Sequence, residues 1–129
     1  MCSIATNSTA EAQLQSLTGK DNTTIEKKLR EFAGDSNVQK SGILDLPANH
    51  LYGFPADLKH IRRRRTGRHR VFYVGHHTQC SYQVFYIKKF KDTGVNDELD
   101  PQFHKVLRRA VGDESLGRII RPPDDEGTT

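Results

Sequence analysis

The chain opens with the apolar spacing of an amphipathic helix. Ala10, Leu14 and Leu17 share one helical face, and Ser8 with Glu11 forms a capping-box pattern at its start. A glycine follows the stripe, as is common just after the last turn of a helix. These positions predict a short first helix.

A second helix follows by the same criteria. Thr23 and Glu26 repeat the capping box, and Ile25, Leu29 and Phe32 recur at positions i, i+4 and i+7 before another glycine. Two short helices separated by a few residues predict an antiparallel helical hairpin. Residues 35–57, rich in Gly, Pro, Asn and Ser, predict an irregular connection.

The middle of the chain has the residue types and the turn spacing that are typical of β-strands. Leu58 to Arg65, "HRVFYV" over residues 69–74 and "YQVFYIKKF" over residues 82–90 are separated by turn-forming residues. Three consecutive antiparallel strands fit this pattern, and a short strand near residues 2–5 can add a fourth. Tyr82, Phe85 and Tyr86 lie in the last segment, where aromatic side chains serve either as core or as stacking surfaces for bases.

A last helix is predicted by its cap. Asp100 stands at the N-cap and Pro101 at the first helical position. An apolar stripe follows, made of Phe103, Val106, Leu107 and Ala110. His104 is expected on the helix surface. Residues 113–129, which end in "RPPDDEGTT", are expected to form a flexible tail.

Together these elements predict one α+β domain over residues 1–112. An N-terminal helical hairpin packs on a small antiparallel sheet of three to four strands, and a C-terminal helix follows. A chain of 129 residues has room for one such domain.

Charge is distributed unevenly along this layout. Residues 58–91 contain ten basic residues and no acidic one, whereas the rest of the chain contains ten basic and sixteen acidic residues, so the net charge is only +4. A basic surface of this density concentrates polyanions and speeds their association. Nucleic acid is therefore the first partner to consider.

Other classes of protein find no support. No run of about 18 apolar residues is present to span a membrane, and the N-terminus lacks the basic and apolar regions of a signal peptide. Two cysteines, Cys2 and Cys80, are too few for a disulfide framework or a four-ligand zinc site. We expect an intracellular, cytoplasmic protein.

The four consecutive arginines at 62–65 fall in the first predicted strand. Because side chains alternate across a strand, one face receives Lys59, Ile61, Arg63 and Arg65, and the other receives Leu58, His60, Arg62 and Arg64. Only part of this run can face a core. On general grounds such a run is a solvated patch, a nuclear localisation signal or the floor of a phosphate site.

The segment "LKHIRRRRTGRHRVFY" is similar to the central motif of the RelE/ParE superfamily of bacterial toxins, in which L-K-x-L-x-R-L-R-x-G-x-Y-R-V-x-Y is common. The matching positions are Leu58, Lys59, Ile61, Arg63, Arg65, Gly67, Arg70, Val71 and Tyr73. "VFYIKKFKDTG" also looks like the K-K-x-x-K-x-[TS] ending of the HigB-like branch. His69 and Arg64 depart from the usual Tyr and apolar residue, and the usual C-terminal catalytic Tyr or His has no clear counterpart.

The resemblance implies a toxin that cleaves messenger RNA on the ribosome and is silenced by a cognate antitoxin. Cleavage through the 2′-hydroxyl of RNA needs a base, positive charge on the phosphorane and an acid. No Asp or Glu lies between Leu58 and Lys91 to bind a divalent metal, so we expect neither metal nor cofactor.

The resemblance also assigns roles to single residues. Arg63 and Arg70 are expected on the phosphate, with Lys89 and His69 as candidates for proton transfer. Further contacts to RNA are expected from Lys59, Arg65, Arg68, Lys88 and Lys91. In this register Arg63, Arg65 and Arg70 share an open face with Lys89, and Arg62 and Arg64 lie outside it.

Two other functions remain open at this stage. The ParE-like branch of the same superfamily poisons DNA gyrase without cutting RNA, although its members usually lack such a dense group of basic residues on the central strands. The third possible function is that of a basic nucleic-acid-binding module without catalysis.

Overall fold

The computed structural model describes residues 3–34, 55–66, 69–76, 81–89 and 100–122. In chain order, the elements are β1 (Ser3–Asn7), α1 (Ser8–Ser16), α2 (Gly19–Gly34), β2 (Arg62–Thr66), β3 (His69–His76), β4 (Ser81–Lys89), α3 (Pro101–Val111) and β5 (Leu116–Ile120). A short 3-10 turn, Ala56–Leu58, precedes β2. None of the helices within these ranges is long and apolar enough to cross a membrane.

The strands form one sheet in the order β2-β3-β4-β1-β5. β1 runs parallel to β4, and the other three pairings are antiparallel. The α+β class, the helical hairpin and the C-terminal helix are confirmed. Within the described residues the sheet has five strands, more than expected, and it is mixed because β4 lies parallel to β1.

A buried asparagine, Asn7, precedes helix α1 and connects it to the end of helix α3. The Asn7 side-chain oxygen accepts from the backbone N–H of Ala10 and caps α1, and its amide nitrogen donates to the carbonyls of Ala110 and Asp113. Asn7, and not Ser8, is therefore the N-cap. The side chain is fully buried, so its hydrogen bonds compensate for its desolvation.

The two faces of the sheet pack against different helices. On one face, which we call the hairpin face, Ile4, Val71 and Val84 pack against Leu14 of α1 and Leu29 of α2. On the opposite face, which we call the α3 face, a second core combines strand and helix residues: Leu58, Ile61, Phe72, Phe85, Phe103, Leu107 and Ala110. Because successive side chains of a strand point to opposite faces, a strand that is buried on both faces has apolar residues at consecutive positions.

Helix α3 has its predicted cap and a rotated apolar stripe. The Asp100 carboxylate accepts from the backbone N–H of Gln102, 2.9 Å away. Val106 is 41% exposed, whereas His104 is buried at 6% exposure, so the prediction that His104 lies on the surface is wrong. Around the helix axis, His104 lies about 60° from Leu107 on one side and Val106 lies about 100° from it on the other. The buried face centres on Leu107 and therefore includes His104 but not Val106.

Two boundaries also differ from the sequence interpretation. β2 begins at Arg62, because the preceding residues turn through the 3-10 turn and place Leu58 and Ile61 in the core. Residues 116–120, which the sequence interpretation placed in the tail, form β5 and pair with β1 along the edge of the sheet. Residues 123–129 lie outside the described ranges.

A charged cluster fastens β5 to the hairpin. The Arg118 guanidinium donates to both carboxylate oxygens of Glu26 at 2.7 Å and to those of Glu11 at 3.1 and 3.2 Å. These groups are partly buried, and the hydrogen bond from Arg118 is the main cause that lowers the pKa of Glu26. One cation thus joins an edge strand to two helices that are far away in sequence.

We predict that Arg118→Ala lowers the free energy of unfolding by about 2 kcal/mol, because it removes the cation that bridges two partly buried carboxylates. Urea denaturation monitored by circular dichroism measures the change. Arg121→Ala, at an exposed position just after β5, is the matched control and should change stability by less than about 0.5 kcal/mol. Equal losses from the two variants would contradict a specific role for the cluster.

Candidate nucleic-acid interface

The register of three neighbouring strands brings four basic side chains to the α3 face. Arg65 of β2 lies opposite Arg70 of β3, and Arg70 lies opposite Lys88 of β4. Arg63 lies opposite Phe72, two residues from Arg65 and therefore on the same face. We call Arg63, Arg65, Arg70 and Lys88 the cationic face.

Three members of the cationic face form a row across the sheet. Residues directly opposed on antiparallel strands have Cα atoms about 4.5–5.5 Å apart, and like charges at such positions repel. Arg65 and Lys88 are exposed and Arg70 is half-buried. Binding of a polyanion across Arg65, Arg70 and Lys88 lowers this repulsion, so the arrangement favours phosphate groups as ligands.

Aromatic side chains support one end of the cationic face. The rings of Phe72 and Phe103 meet edge to face at 5.4 Å between centroids, and Tyr86 lies 5.9 Å from Phe103. The Lys88 ammonium lies 5.4 Å from the Phe103 centroid, within the range of a cation–π contact. Helix α3 therefore orients Lys88, and the half-buried Tyr86 is the aromatic residue of this cluster nearest to solvent.

Arg62 and Arg64 point to the hairpin face and serve the fold. The Arg62 guanidinium donates to the carbonyls of Lys59 and Ile61 at 2.8 and 3.2 Å, which holds the turn that leads into β2. The Arg64 guanidinium stands 5.7 Å from the ring centroid of Phe32 in α2. The predicted alternation of the four arginines is confirmed.

His69 and Lys89 lie opposite each other on the hairpin face. The prediction that Lys89 shares a face with Arg63 and Arg70 is therefore wrong. The physical reason is a β-bulge in β4, where Phe72 pairs with Tyr86 but the next residue of β3 pairs with Val84. The extra residue shifts the alternation by one, so Lys88 replaces Lys89 on the α3 face.

The environment of His69 is that of a buried, neutral histidine. Its side chain is 4% exposed, and its Nε2 atom has no hydrogen-bond partner, as is also true of Oγ1 of its strand neighbour Thr66. Burial lowers the pKa of His69, the carboxylate of Asp21 opposes this shift, and the charge of Lys89 adds to it. The sheet thus separates His69 from Arg63 and Arg70.

The remaining predicted RNA contacts are only partly within the described ranges. Lys59 is exposed in the turn before β2, whereas Arg68 and Lys91 lie outside these ranges. No three His, Cys, Asp or Glu side chains within residues 3–34, 55–66, 69–76, 81–89 and 100–122 could hold a metal ion together. The cationic face and the adjacent Tyr86 carry guanidinium, ammonium and phenol groups.

The sequence analysis gave Tyr86 as core or a base-stacking surface and Lys88 as an RNA contact, but it did not predict that the two lie on the α3 face beside Arg70. Both depend on the bulge, since in a regular strand Tyr86 and Lys88 would share a face with Tyr82 and Val84. The local signal is the continuous run from Val84 to Ile87, which breaks the alternation of apolar and polar residues.

Comparison with solved structures identifies the architecture. The chain superimposes on the crystal structure of the isolated E. coli RelE toxin with a TM-score of 0.50, over 84% of this chain and 98% of that one, at 14% sequence identity. The fold is RelE-like. No protein-family model matches the sequence, and no curated protein matches it significantly. At this identity the similarity to RelE concerns the fold.

We predict that His69 makes folding stability sensitive to mild acid. Because the folded-state pKa is lowered, the contribution of neutral His69 is complete above the unfolded pKa of about 6.5 and is lost as pH falls below it toward the folded value. Urea denaturation at pH 7.5 and 5.0 should show a smaller loss of stability for His69→Gln than for the unmodified chain. His60→Gln, at an exposed position, should keep the full loss. An unchanged loss in His69→Gln would refute this role.

Proposed function

We propose that this protein is the toxin of a toxin–antitoxin pair and a metal-independent endoribonuclease that cleaves messenger RNA on the ribosome in the cytoplasm. The observation that carries the proposal is the cationic face, in which Arg63, Arg65, Arg70 and Lys88 occupy neighbouring positions on a RelE-like sheet. Its preferred ligand is a chain of phosphates, and RNA also brings its own nucleophile.

The proposed reaction uses the 2′-hydroxyl adjacent to the scissile phosphate. The 2′-oxygen attacks phosphorus, its proton passes to a base, the bond from phosphorus to the 5′-oxygen breaks, and that oxygen takes a proton. The products are a 2′,3′-cyclic phosphate and a 5′-hydroxyl. Arg63 and Arg70 donate hydrogen bonds to the phosphorane oxygens, where the negative charge develops.

The proton-transfer groups must share a face with those arginines. Lys88 and the Tyr86 phenol meet this condition, whereas His69 and Lys89 lie across the sheet. We therefore propose Lys88 and Tyr86 in the roles first assigned to Lys89 and His69. The Lys88 ammonium donates a proton to the leaving 5′-oxygen, and the Tyr86 hydroxyl accepts the 2′-hydroxyl proton as it passes its own proton to a solvent water.

The other cations are proposed to bind the RNA backbone. Arg65 extends the row of Arg70 and Lys88, and Lys59 is exposed in the turn before β2. Arg68 and Lys91 keep the same proposed role. Membership of the HigB-like branch is also a proposal, based on the "KKFK" segment that begins at Lys88.

A cognate antitoxin is the proposed protein partner. A dense cationic surface attracts any cellular RNA, so a toxin of this kind must be covered when it is inactive. An acidic segment of the antitoxin over the cationic face would provide this cover, and its affinity would fall as salt screens the charges.

The gyrase-poison alternative makes a different prediction in cells. If the nuclease proposal holds, induction of the protein arrests growth and produces new RNA 5′ ends within translated messages. Sequencing of 5′-hydroxyl RNA ends before and after induction measures this. Growth arrest with DNA damage and no new RNA ends would rule out the nuclease and support gyrase poisoning. No arrest and no new ends would favour a binding module.

The faces of β2 predict different phenotypes for neighbouring arginines. Arg63→Ala and Arg70→Ala should each lower the cleavage rate at least about a hundredfold, because each removes a donor to the phosphorane at a cost of about 3 kcal/mol. Arg62→Ala is the matched control from the hairpin face and should remain toxic. Cleavage assays paired with circular dichroism test this, and equal, graded losses from all three variants would mean that the arginines form only an electrostatic patch.

A further inference from the structure

In the part of the chain that the structure describes, the sheet ends at β2 on one side and at β5 on the other, and these two edges differ in chemistry. The edge strand β2 consists of four arginines and a threonine, and charged residues of this kind discourage another strand from pairing there. The opposite edge strand, β5, reads "LGRII". Its side chains Leu116 and Ile119 are 62% and 59% exposed, the largest exposures among the large apolar residues of the described ranges.

A groove runs along the outer edge of β5. Its volume is about 360 Å³, and it is lined by Arg30, Leu116, Arg118, Ile119 and Arg121. Arg118 lies opposite Thr6 and Ile119 lies opposite Ala5, so consecutive residues from both faces of β5 border the groove. It therefore follows the hydrogen-bonding edge of the strand and not one face of the sheet.

The charged residues that line this groove are three arginines, Arg30, Arg118 and Arg121. Two glutamates, Glu11 and Glu26, already surround the Arg118 guanidinium. Arg30 donates a long 3.4 Å hydrogen bond to the Pro122 carbonyl, and its charge adds to that of Arg118 in lowering the pKa of Glu26. Arg121 is exposed. Arg121 can therefore meet a carboxylate of an incoming chain, and Arg30 at the rim of the groove can meet a second one besides Glu26.

We infer that the outer edge of β5 binds an extended acidic segment of another protein, which adds to the sheet as a sixth strand. Its backbone pairs with β5, its aliphatic side chains cover Leu116 and Ile119, and its carboxylates meet Arg30 and Arg121. A second copy of this chain fits less well, because it would bring two sets of these arginines into one interface. This edge is the opposite end of the sheet from β2, so binding here is independent of the proposed nuclease.

A defined peptide tests this inference. Fluorescein-labelled Glu-Val-Asp-Ile-Asp-Val-Glu should bind the full chain in an anisotropy titration, and its affinity should fall with salt. The same peptide with alternate backbone amides N-methylated should bind at least tenfold more weakly, because it cannot pair with the strand. Amide hydrogen exchange over residues 116–120 should slow when the unmodified peptide is bound.

Single substitutions test whether the peptide binds at the outer edge of β5. Ile119→Lys and Arg121→Glu should each weaken binding at least tenfold, and both sites are exposed, so folding should be retained. Val106→Lys, at an exposed apolar position on α3, is the matched control and should bind as the unmodified chain does.

Four outcomes would overturn the inference. They are no binding of the peptide, equal affinity for the N-methylated form, unchanged affinity in Ile119→Lys, and a chain ending at Pro122 that binds at least tenfold more tightly. The last result would identify the C-terminal segment of the same chain as the occupant. Self-association that Ile119→Lys abolishes, in a chain that does not bind the peptide, would identify a second copy instead.

Discussion

The two-residue period of the β-strand is the constraint on which this structure depends. Along β2 each step of one residue moves a side chain from the hairpin face to the α3 face. The four consecutive arginines are thereby divided into two pairs with different surroundings. Arg62 and Arg64 bind the turn and the hairpin, whereas Arg63 and Arg65 join Arg70 and Lys88.

The two cores make this division stable. Apolar contacts with α1 and α2 cover one face, and α3 covers part of the other. The cationic face therefore lies at the end of the sheet that runs from the level of Phe72 to that of Arg70. Like charges at opposed positions cost stability, and burial of the neighbouring aromatic and aliphatic side chains offsets that cost. The opposed cations thus lower the stability of the fold locally, as is common for residues of binding sites, and packing elsewhere in the domain compensates for this loss.

Local sequence signals predicted the parts of the fold that depend on local physics. The cap at Asp100, the apolar faces of the hairpin and the alternation of the arginines all follow from spacing within one element. The position of Lys88 did not follow, because a bulge shifts the period within β4, and its one local signal is the unbroken run from Val84 to Ile87. The five-residue strand β5 was missed because its anchor, Arg118, relies on glutamates about 90 to 110 residues earlier in the chain.

The central claim is that one face of the sheet, and not the arginine run as a whole, binds RNA. The most direct measurement is an NMR titration of the side-chain N–H groups of arginine with a short RNA whose 2′-hydroxyls are methylated, so that it binds but cannot be cleaved. The account predicts saturable shifts at Arg63, Arg65 and Arg70, with Arg62, Arg64 and Arg118 unchanged. Equal shifts at Arg62 and Arg64 would contradict it.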